Sequence, residues 1–218
     1  MVLHGEGPSF CSGLDVASFM GGPVPLDALL ARDGGRANLA QRVCTLWMDL
    51  PVPVIAAIHG NCFGGGLQIA LGADIRFAAP DAKLSVMESK WGLVPDMGIT
   101  STLPRLVRLD VAKELTYTAR VLSGTEAAAL GLVSHVAEDP LAAAQALAAE
   151  IAGRSPDAVR AAKRLYDEMW HAPVEDGLVL ETELQVGLLG SPNQMAAVTA
   201  GFTKQPGEFS DPEPAVRA

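Results

Sequence analysis

The first feature with chemical potential is a run of three glycines, Gly64 to Gly66, between an apolar run and a helix-forming run. Glycine lets backbone N–H groups approach a ligand without obstruction by a Cβ atom, and the start of a helix adds partial positive charge. The pattern therefore predicts a site for an anion or a developing negative charge. A tight turn without a ligand is the alternative, because a short glycine-rich loop is a weak signal.

Glu88 is the carboxylate whose surroundings favour acid–base chemistry. Apolar residues flank it, among them Val86 and Trp91, and removing water from a carboxylate raises its pKa towards the range useful for proton transfer. A solvated glutamate at the end of a strand is the simpler interpretation of the residue type alone. His59 and Cys62 flank the glycines, but no orienting acid accompanies them, so structural roles are favoured over a nucleophile pair.

An alternation of short strands and helices must position these residues. Residues 51–60 form an apolar run bounded by Pro and Gly, which predicts a buried strand. The break at 61–66 precedes helix-forming residues at 67–73, and further strands are predicted at 75–79 and 84–87. The repeating strand-and-helix pattern favours an α/β fold.

The flanking parts of the chain have simpler patterns. The first residues look like the end of a strand, and a helix is predicted to end before Pro51. From about residue 105 the sequence is largely helical, with Ser123 and Ser155 as N-caps. A frayed tail is expected over 207–218. The predicted helices are 111–119, 125–130, 141–152 and 156–169.

Composition excludes several classes of function. The chain has 218 residues, 49% of them hydrophobic, and a formal charge of −9, which argues against a nucleic-acid partner. Its three cysteines have neither metal-ligand spacing nor an even count, so buried thiols in a reducing compartment are expected. No signal segment or long apolar run is visible. We expect a soluble, cytoplasmic protein that binds no metal and no membrane.

Three segments together resemble the enoyl-CoA hydratase/isomerase family, also called the crotonase superfamily. They are FCSGLD, IAAIHGNCFGGGLQIALGADIRFA and ESKWGLVPDMG, in that order. The resemblance extends over nearly the whole chain. It implies a spiral of ββα units over residues 1–104, followed by a helical region, 105–218, that packs between subunits of a homotrimer or a dimer of trimers.

The resemblance also assigns roles to individual residues. The backbone N–H groups of Leu14 and Gly65 would form an oxyanion hole for a thioester carbonyl, with Asp15 and Gly64 beside them in the substrate-binding site. Glu88 falls on the position of a catalytic glutamate.

Gln68 and Asp96 complete the set of candidate catalytic residues. Hydratases similar to this chain carry a second glutamate at the position of Gln68, and an amide has no proton to exchange at neutral pH. Asp96 is similar to an aspartate of dienoyl-CoA isomerases, although a turn in which it caps its own backbone is the alternative. Lys204 matches a CoA-contacting segment only loosely, and solvation is the simpler expectation.

The function implied is the processing of acyl-CoA thioesters without a separate cofactor, since CoA is part of the substrate. One catalytic glutamate favours double-bond isomerisation, hydration of a 2-enoyl-CoA is the alternative, and a non-catalytic acyl-CoA binder is a further one. Acyl selectivity would depend on residues 16–30 and the helix after them. Family members ordinarily have strands and a helix before the first motif, so a shortened N-terminal region, or an upstream start, is expected.

Overall fold

The computed structural model describes residues 1–15, 26–32 and 35–212. The chain divides into two compact units, which are considered separately. The first comprises Met1–Leu50 and Val54–Gln145, and the second comprises Pro51–Pro53 and Ala146–Ala218. The division at residue 104 into a spiral core and a helical region that packs between subunits stays a prediction. Within the described ranges, no helix combines the length and apolar character needed to cross a lipid bilayer.

The strands of the first unit form two sheets. The strands are β1 Val2–His4, β2 Ile55–Ile58, β3 Asn61–Phe63, β4 Ile75–Ala78, β5 Lys83–Ser85, β6 Leu122–Ser123 and β7 His135–Val136. One sheet has the order β1-β2-β4-β7 and is parallel throughout, and the other has the order β3-β5-β6, in which β5 and β6 are antiparallel. The chain thus coils between the two sheets with helices along its path, as the sequence pattern predicts.

The helices follow the predicted pattern closely. Asn38 and Ser123 each form a capping box at the start of a helix, and Ser155 caps another through the N–H of Ala158. The helices are α1 Leu26–Leu30, α2 Leu39–Asp49, α3 Gly65–Leu71, α4 Ile99–Thr102, α5 Leu109–Thr118, α6 Gly124–Ala129, α7 Pro140–Ala152, α8 Pro156–Met169, α9 Val174–Leu188 and α10 Pro192–Thr203, with 3₁₀ turns at Glu88–Trp91 and Leu103–Arg105.

The core of the first unit lies around β2. All four residues of β2 are buried, because parallel strands are covered on both faces. The predicted buried strand at 51–60 is therefore confirmed in its central part. Apolar side chains from both sheets and α3 complete this core, among them Leu67, Leu84 and Leu122.

One prediction about the segment after β2 is wrong. Residues 61–66 are expected from the sequence to break regular structure, but Asn61–Phe63 form strand β3, which pairs in parallel with Lys83–Ser85. On the other side of β3, the backbone of Cys11 forms an isolated parallel β-bridge with Cys62, and both thiols are free. The strand is short and pairs with a distant segment, so local sequence carries little sign of it.

The second unit is helical, and its end is attached by one asparagine. The Asn193 side chain donates to the Asp157 carboxylate at 2.8 Å and exchanges two hydrogen bonds with the Ser210 backbone, at 3.0 and 2.9 Å. Residues 206–212 form neither helix nor strand, as expected for the tail, but Ser210 is held in place. Residues 213–218 of the predicted tail lie outside the described residues, as do 16–25 of the segment expected to govern acyl selectivity.

Candidate active site

The glycine run forms the start of α3. Gly64 is the N-cap, with φ 52° and ψ −119°, a conformation that is essentially restricted to glycine. Its N–H donates to the Ser85 carbonyl at 3.0 Å, and its carbonyl accepts the Gln68 N–H at 3.0 Å. The N–H of Gly65 has no hydrogen-bond partner among the described residues. The helix start therefore offers a free donor with favourable dipole orientation.

The segment containing Leu14 lies beside this helix start. Gly13 has φ +89°, and a Cβ atom built on it would lie 2.7 Å from the Phe63 carbonyl oxygen and 3.8 Å from the Gly65 nitrogen. Leu14 is 56% exposed, and its N–H, like that of Gly65, has no partner within the described ranges. Asp15 is exposed. The two segments expected to supply oxyanion donors are thus neighbours.

Glu88 opens the 3₁₀ turn Glu88–Trp91 and faces the glycine run. A Cβ atom on Gly64 would lie 3.2 Å from Glu88 Oε1, so the glycine allows the carboxyl group to come this close. The turn is held from the other side, because the Ser89 hydroxyl donates to the Thr116 carbonyl in α5. A long-range contact thereby places the carboxylate at the start of α3.

Gln68 contacts Glu88 directly. Its Nε2 atom donates to Glu88 Oε1 at 2.7 Å, and its Oε1 atom accepts the Met97 N–H at 2.9 Å. The residue is only 2% exposed. The position one helical turn beyond the glycines therefore carries a buried amide whose carbonyl and amino ends are both occupied.

The environment of Glu88 favours its neutral form. Burial raises the pKa of this carboxyl group, and the charge of Asp96 adds to that effect. The hydrogen bond from the Gln68 amide and the nearby backbone N–H groups of Glu88 and Met87 oppose part of this increase in the pKa. Its second oxygen, Oε2, is buried and has no hydrogen-bond partner among the described residues. A raised pKa and an unpaired oxygen are properties of a group that takes up a proton.

Asp96 contributes to the site through its charge alone, and Lys204 belongs to the second unit. Asp96 is exposed, and its influence on Glu88 is electrostatic rather than a hydrogen bond. Lys204 is exposed in the second unit and adopts φ 57° at the end of α10, in agreement with the expected solvation. The catalytic role of Asp96 stays a prediction, as do those of Glu88 and Gln68.

Met97 was not predicted as part of the site. Its N–H is held by Gln68, and its sulfur would lie 2.8 Å from a Cβ atom on Gly65, so the thioether covers that glycine. Gly98 follows with φ +88° and packs beside Thr45 of α2. The residue type of Met97 does not indicate a role in the site, and its place in the ESKWGLVPDMG segment is the one sequence signal that could have predicted it.

Neither metal chemistry nor thiol chemistry has support in the described ranges. No group of three or more His, Cys, Asp or Glu side chains is arranged to hold a metal ion there. Burial raises the pKa of Cys44 to about 12, with contributions from the neighbouring Cys11, Glu88 and Asp96. The Nε2 atom of His59 contacts the Gly7 carbonyl at 2.9 Å, in agreement with a structural role.

The ββα coil, the free N–H groups and the half-buried Glu88 carboxyl group are together typical of the crotonase fold. The profile described as "Enoyl-CoA hydratase/isomerase" matches residues 1–208. The chain therefore belongs to the enoyl-CoA hydratase/isomerase family. This membership confirms the family and the α/β fold class predicted from the sequence.

Individual relatives include both hydratases and an isomerase. The mitochondrial methylglutaconyl-CoA hydratase of Mus musculus is 38% identical over 167 residues, which cover 74% of this chain and 53% of that protein. The chain thus spans about half the length of the first curated relatives it matches. The peroxisomal Delta(3,5)-Delta(2,4)-dienoyl-CoA isomerase of Arabidopsis thaliana is 34% identical, with 96% of this chain and 79% of that protein covered.

The fold is also that of solved structures in the family. The crystal structure of enoyl-CoA hydratase from Bacillus anthracis superimposes with a TM-score of 0.86 at 31% identity, covering 95% of this chain and 80% of that one. The enoyl-CoA hydratase from Mycobacterium tuberculosis has a TM-score of 0.82 at 30% identity and covers 96% and 79%, respectively. These structures support the assignment of fold over nearly the whole chain.

Proposed function

We propose that this protein is an enzyme that stabilises the enolate of an acyl-CoA thioester and moves a proton along the acyl chain. The N–H groups of Leu14 and Gly65 hold the thioester oxygen, with Gly64 and Asp15 beside it, and Glu88 carries the proton. One observation carries the proposal: the buried, unpaired Oε2 atom belongs to a carboxyl group that lies against Gly64, next to the free Gly65 donor. Membership in the family supports it.

The energetic argument concerns the charge that develops on the thioester oxygen. Removing a proton beside the thioester places negative charge on that oxygen, and donors already directed at it stabilise the charge without reorganisation. One such donor contributes about 3 kcal/mol to lowering the barrier in other enzymes. The backbone of Gly65 is suited to this role because its N–H stands at a helix start.

Double-bond isomerisation is the reaction that the side chains favour. A single carboxylate can take a proton from one carbon and return it to another, with the enolate as intermediate. Gln68 is engaged with Glu88 and Met97, and its amide cannot exchange protons at neutral pH. Asp96 is close enough to raise the pKa of Glu88 through its charge, so it is the candidate for a second proton carrier.

Hydration of a 2-enoyl-CoA is the second candidate, favoured by the names of several relatives. Methylglutaconyl-CoA hydratase, for example, resembles this chain at 38% identity. In that reaction Glu88 would activate water, and the amide of Gln68 would limit the enzyme to one acid–base group.

The direct test is to incubate the purified protein with 3-enoyl-, 2-enoyl- and 3,5-dienoyl-CoA and to follow products by mass and ultraviolet absorbance. Isomerisation of the first or third substrate is expected, and Glu88→Gln should abolish it. Glu138→Gln is the matched control, because it makes the same change at an exposed carboxylate. Formation of a 3-hydroxyacyl-CoA from the 2-enoyl substrate would favour hydration. Binding without any turnover would leave a non-catalytic acyl-CoA binder.

We also propose that the helical region assembles the protein into a homotrimer or a dimer of trimers. Helices α9 and α10 of the second unit expose apolar side chains, including Val186 at 66% and Phe202 at 85%. Light scattering should give a trimer or hexamer mass, which Val186→Asp should reduce, whereas Glu175→Gln on the same helix should not. A cytoplasmic location and the absence of a separate cofactor belong to the same proposal.

A further inference from the structure

The buried amide of Gln68 has a defined orientation. The Met97 N–H can only donate, so the atom facing it at 2.9 Å must be the amide oxygen. The amide nitrogen then faces Glu88 Oε1 at 2.7 Å. Turning the amide over would set two donors against each other at Met97 and two acceptors against each other at Glu88. Because Gln68 is only 2% exposed, no solvent is available to compensate for either mismatch.

This orientation makes the two oxygens of Glu88 different. Oε1 receives the Gln68 hydrogen bond, whereas Oε2 is buried and has no partner among the described residues. An oxygen that already accepts a hydrogen bond from a fixed donor is a poorer place for a proton than one that is free. The two oxygens are therefore not interchangeable in a proton transfer.

We propose that Gln68 is a positioning residue that fixes Glu88 through Oε1 and leaves Oε2 as the oxygen that exchanges a proton with the substrate. The step is a simple proton transfer: the substrate C–H bond breaks, its electron pair enters the enolate, and the proton binds Oε2. Oε2 then gives a proton to another carbon of the acyl chain, where the electron pair of the enolate forms the new C–H bond. The proposal rests on the proposed function, but it concerns a contact that can be measured without turnover.

The contact with Met97 extends this role to the oxyanion donor. Gln68 holds the Met97 backbone, and the Met97 thioether covers Gly65. The Gln68 N–H also bonds to the Gly64 carbonyl at the start of the same helix. The Gln68 side chain thus links the Glu88 carboxylate to the Met97 segment, whose thioether packs on the Cα side of Gly65 and leaves its N–H free. These contacts keep the distance between the proton carrier and the oxyanion donor constant.

Titratable and polar groups lie near Glu88 on several elements. Asp96, in the segment before α4, and Gln68, in α3, change the pKa of Glu88, whereas Cys44 of α2 is itself influenced by the charge of Glu88. Asp96 raises the pKa of Glu88, while the Gln68 amide lowers it. The Cys44 thiol has a pKa raised to about 12, so it stays neutral through the range in which a carboxylate titrates. Removing the Gln68 donor should therefore move the titration of Glu88 upwards.

The test compares Gln68→Met, which has similar volume but no amide, with Gln68→Glu. ¹³C NMR of carboxyl-labelled protein follows the titration of Glu88, with Glu88→Gln used to assign the signal. Gln68→Met should raise the pKa of Glu88 and move the acidic limb of the kcat profile in the same direction. It should lower kcat about 10- to 100-fold with little change in KM, because Gln68 orients the base rather than binding substrate. Gln145→Met is the exposed control.

Gln68→Glu tests the proposal independently, and it remains available if Gln68→Met does not fold. When protonated, the carboxyl group that this substitution introduces can donate to Glu88 Oε1 and accept the Met97 N–H, as the amide does. Activity should therefore persist while the pair of carboxyl groups holds one proton and fall once that proton is lost. Such an additional alkaline limb is not expected in wild type.

Two results separate this proposal from the proposed function. Unchanged titration of Glu88 and unchanged pH profiles in both variants would overturn the positioning role, even if the protein is an isomerase. The expected shift of Glu88 without turnover of any CoA thioester would support the positioning role and contradict the proposed enzymatic function. A loss of kcat with no change in pH profile would indicate a merely structural amide and would also overturn the proposal.

Discussion

Replacing Gly64 with alanine should lower both the stability of the protein and its kcat, and the two losses have different causes. The residue has φ 52° and ψ −119°, a region that costs a non-glycine residue about 1–3 kcal/mol. For a chain of this size, each kcal/mol changes Tm by roughly 2–4 °C, so Tm should fall by roughly 2–12 °C. The new Cβ would also lie 3.2 Å from Glu88 Oε1, which forces the carboxyl group to move.

The expected loss of activity exceeds what destabilisation alone would produce. A misplacement of about 1 Å can cost about 100-fold in rate. The contact with the new Cβ requires Glu88 to move by roughly a few tenths of an ångström. We therefore expect kcat of Gly64→Ala to fall by roughly 3- to 10-fold in protein that is still folded at the assay temperature, as checked by circular dichroism. The assay is isomerisation of a 3-enoyl-CoA, followed by ultraviolet absorbance.

Gly7→Ala is the matched control for this experiment. Gly7 also has positive φ, +80°, but a Cβ atom on it would meet nothing within 4 Å. It should therefore lose stability without losing kcat. If the two variants lost activity equally, or if Gly64→Ala retained wild-type kcat, the argument that Gly64 makes room for Glu88 would be refuted.

Three further predictions concern packing, capping and pH. Gly65→Ala should change the free energy of unfolding by less than about 1 kcal/mol, because its Cβ would lie 2.8 Å from the sulfur of a flexible methionine side chain and alanine is favoured over glycine in a helix; a larger loss in denaturant unfolding would show that the Met97 thioether cannot move aside. Ser123→Ala should cost about 1 kcal/mol, since it removes the hydrogen bond to the Glu126 N–H; an unchanged unfolding midpoint would contradict the capping argument. Burial raises the pKa of Glu88, so the folded state binds an extra proton between the unfolded and folded pKa values, and this contribution to stability is lost as pH rises through the folded pKa. The Tm of Glu88→Gln relative to wild type should therefore increase with pH, and a difference independent of pH would rule out the raised pKa.

Much of the fold could be predicted because local signals and long-range structure agree. Ser123 and Ser155 have the chemistry of N-caps, and both begin helices. The apolar run around Ile55–Ile58 is bounded by Pro and Gly and forms a buried parallel strand. Asn61–Phe63 was missed because its strand character comes from pairing with Lys83–Ser85 rather than from its own residues.

The candidate site was predictable as a set of residues but not as a network. The glycines indicate a backbone donor, and the resemblance to a family identifies Glu88 and Gln68. The hydrogen bond from Gln68 to Glu88 and the bond from Met97 to Gln68 join segments distant in sequence, so no local pattern encodes them. The cover of Gly65 by Met97 is likewise a consequence of packing.

The central claim is that Glu88 carries the proton exchanged with an acyl-CoA thioester. The most direct measurement is deuterium incorporation into a 3-enoyl-CoA in D₂O, read by mass spectrometry and NMR for wild type and Glu88→Gln. Deuterium should enter the acyl chain in the presence of wild type, at the carbon beside the thioester when the enolate is protonated back and at the distal carbon when the double bond moves, and the variant should add none above the rate in buffer alone. Incorporation by the variant equal to that by wild type, above the rate in buffer, would contradict the assignment of Glu88 as the proton carrier.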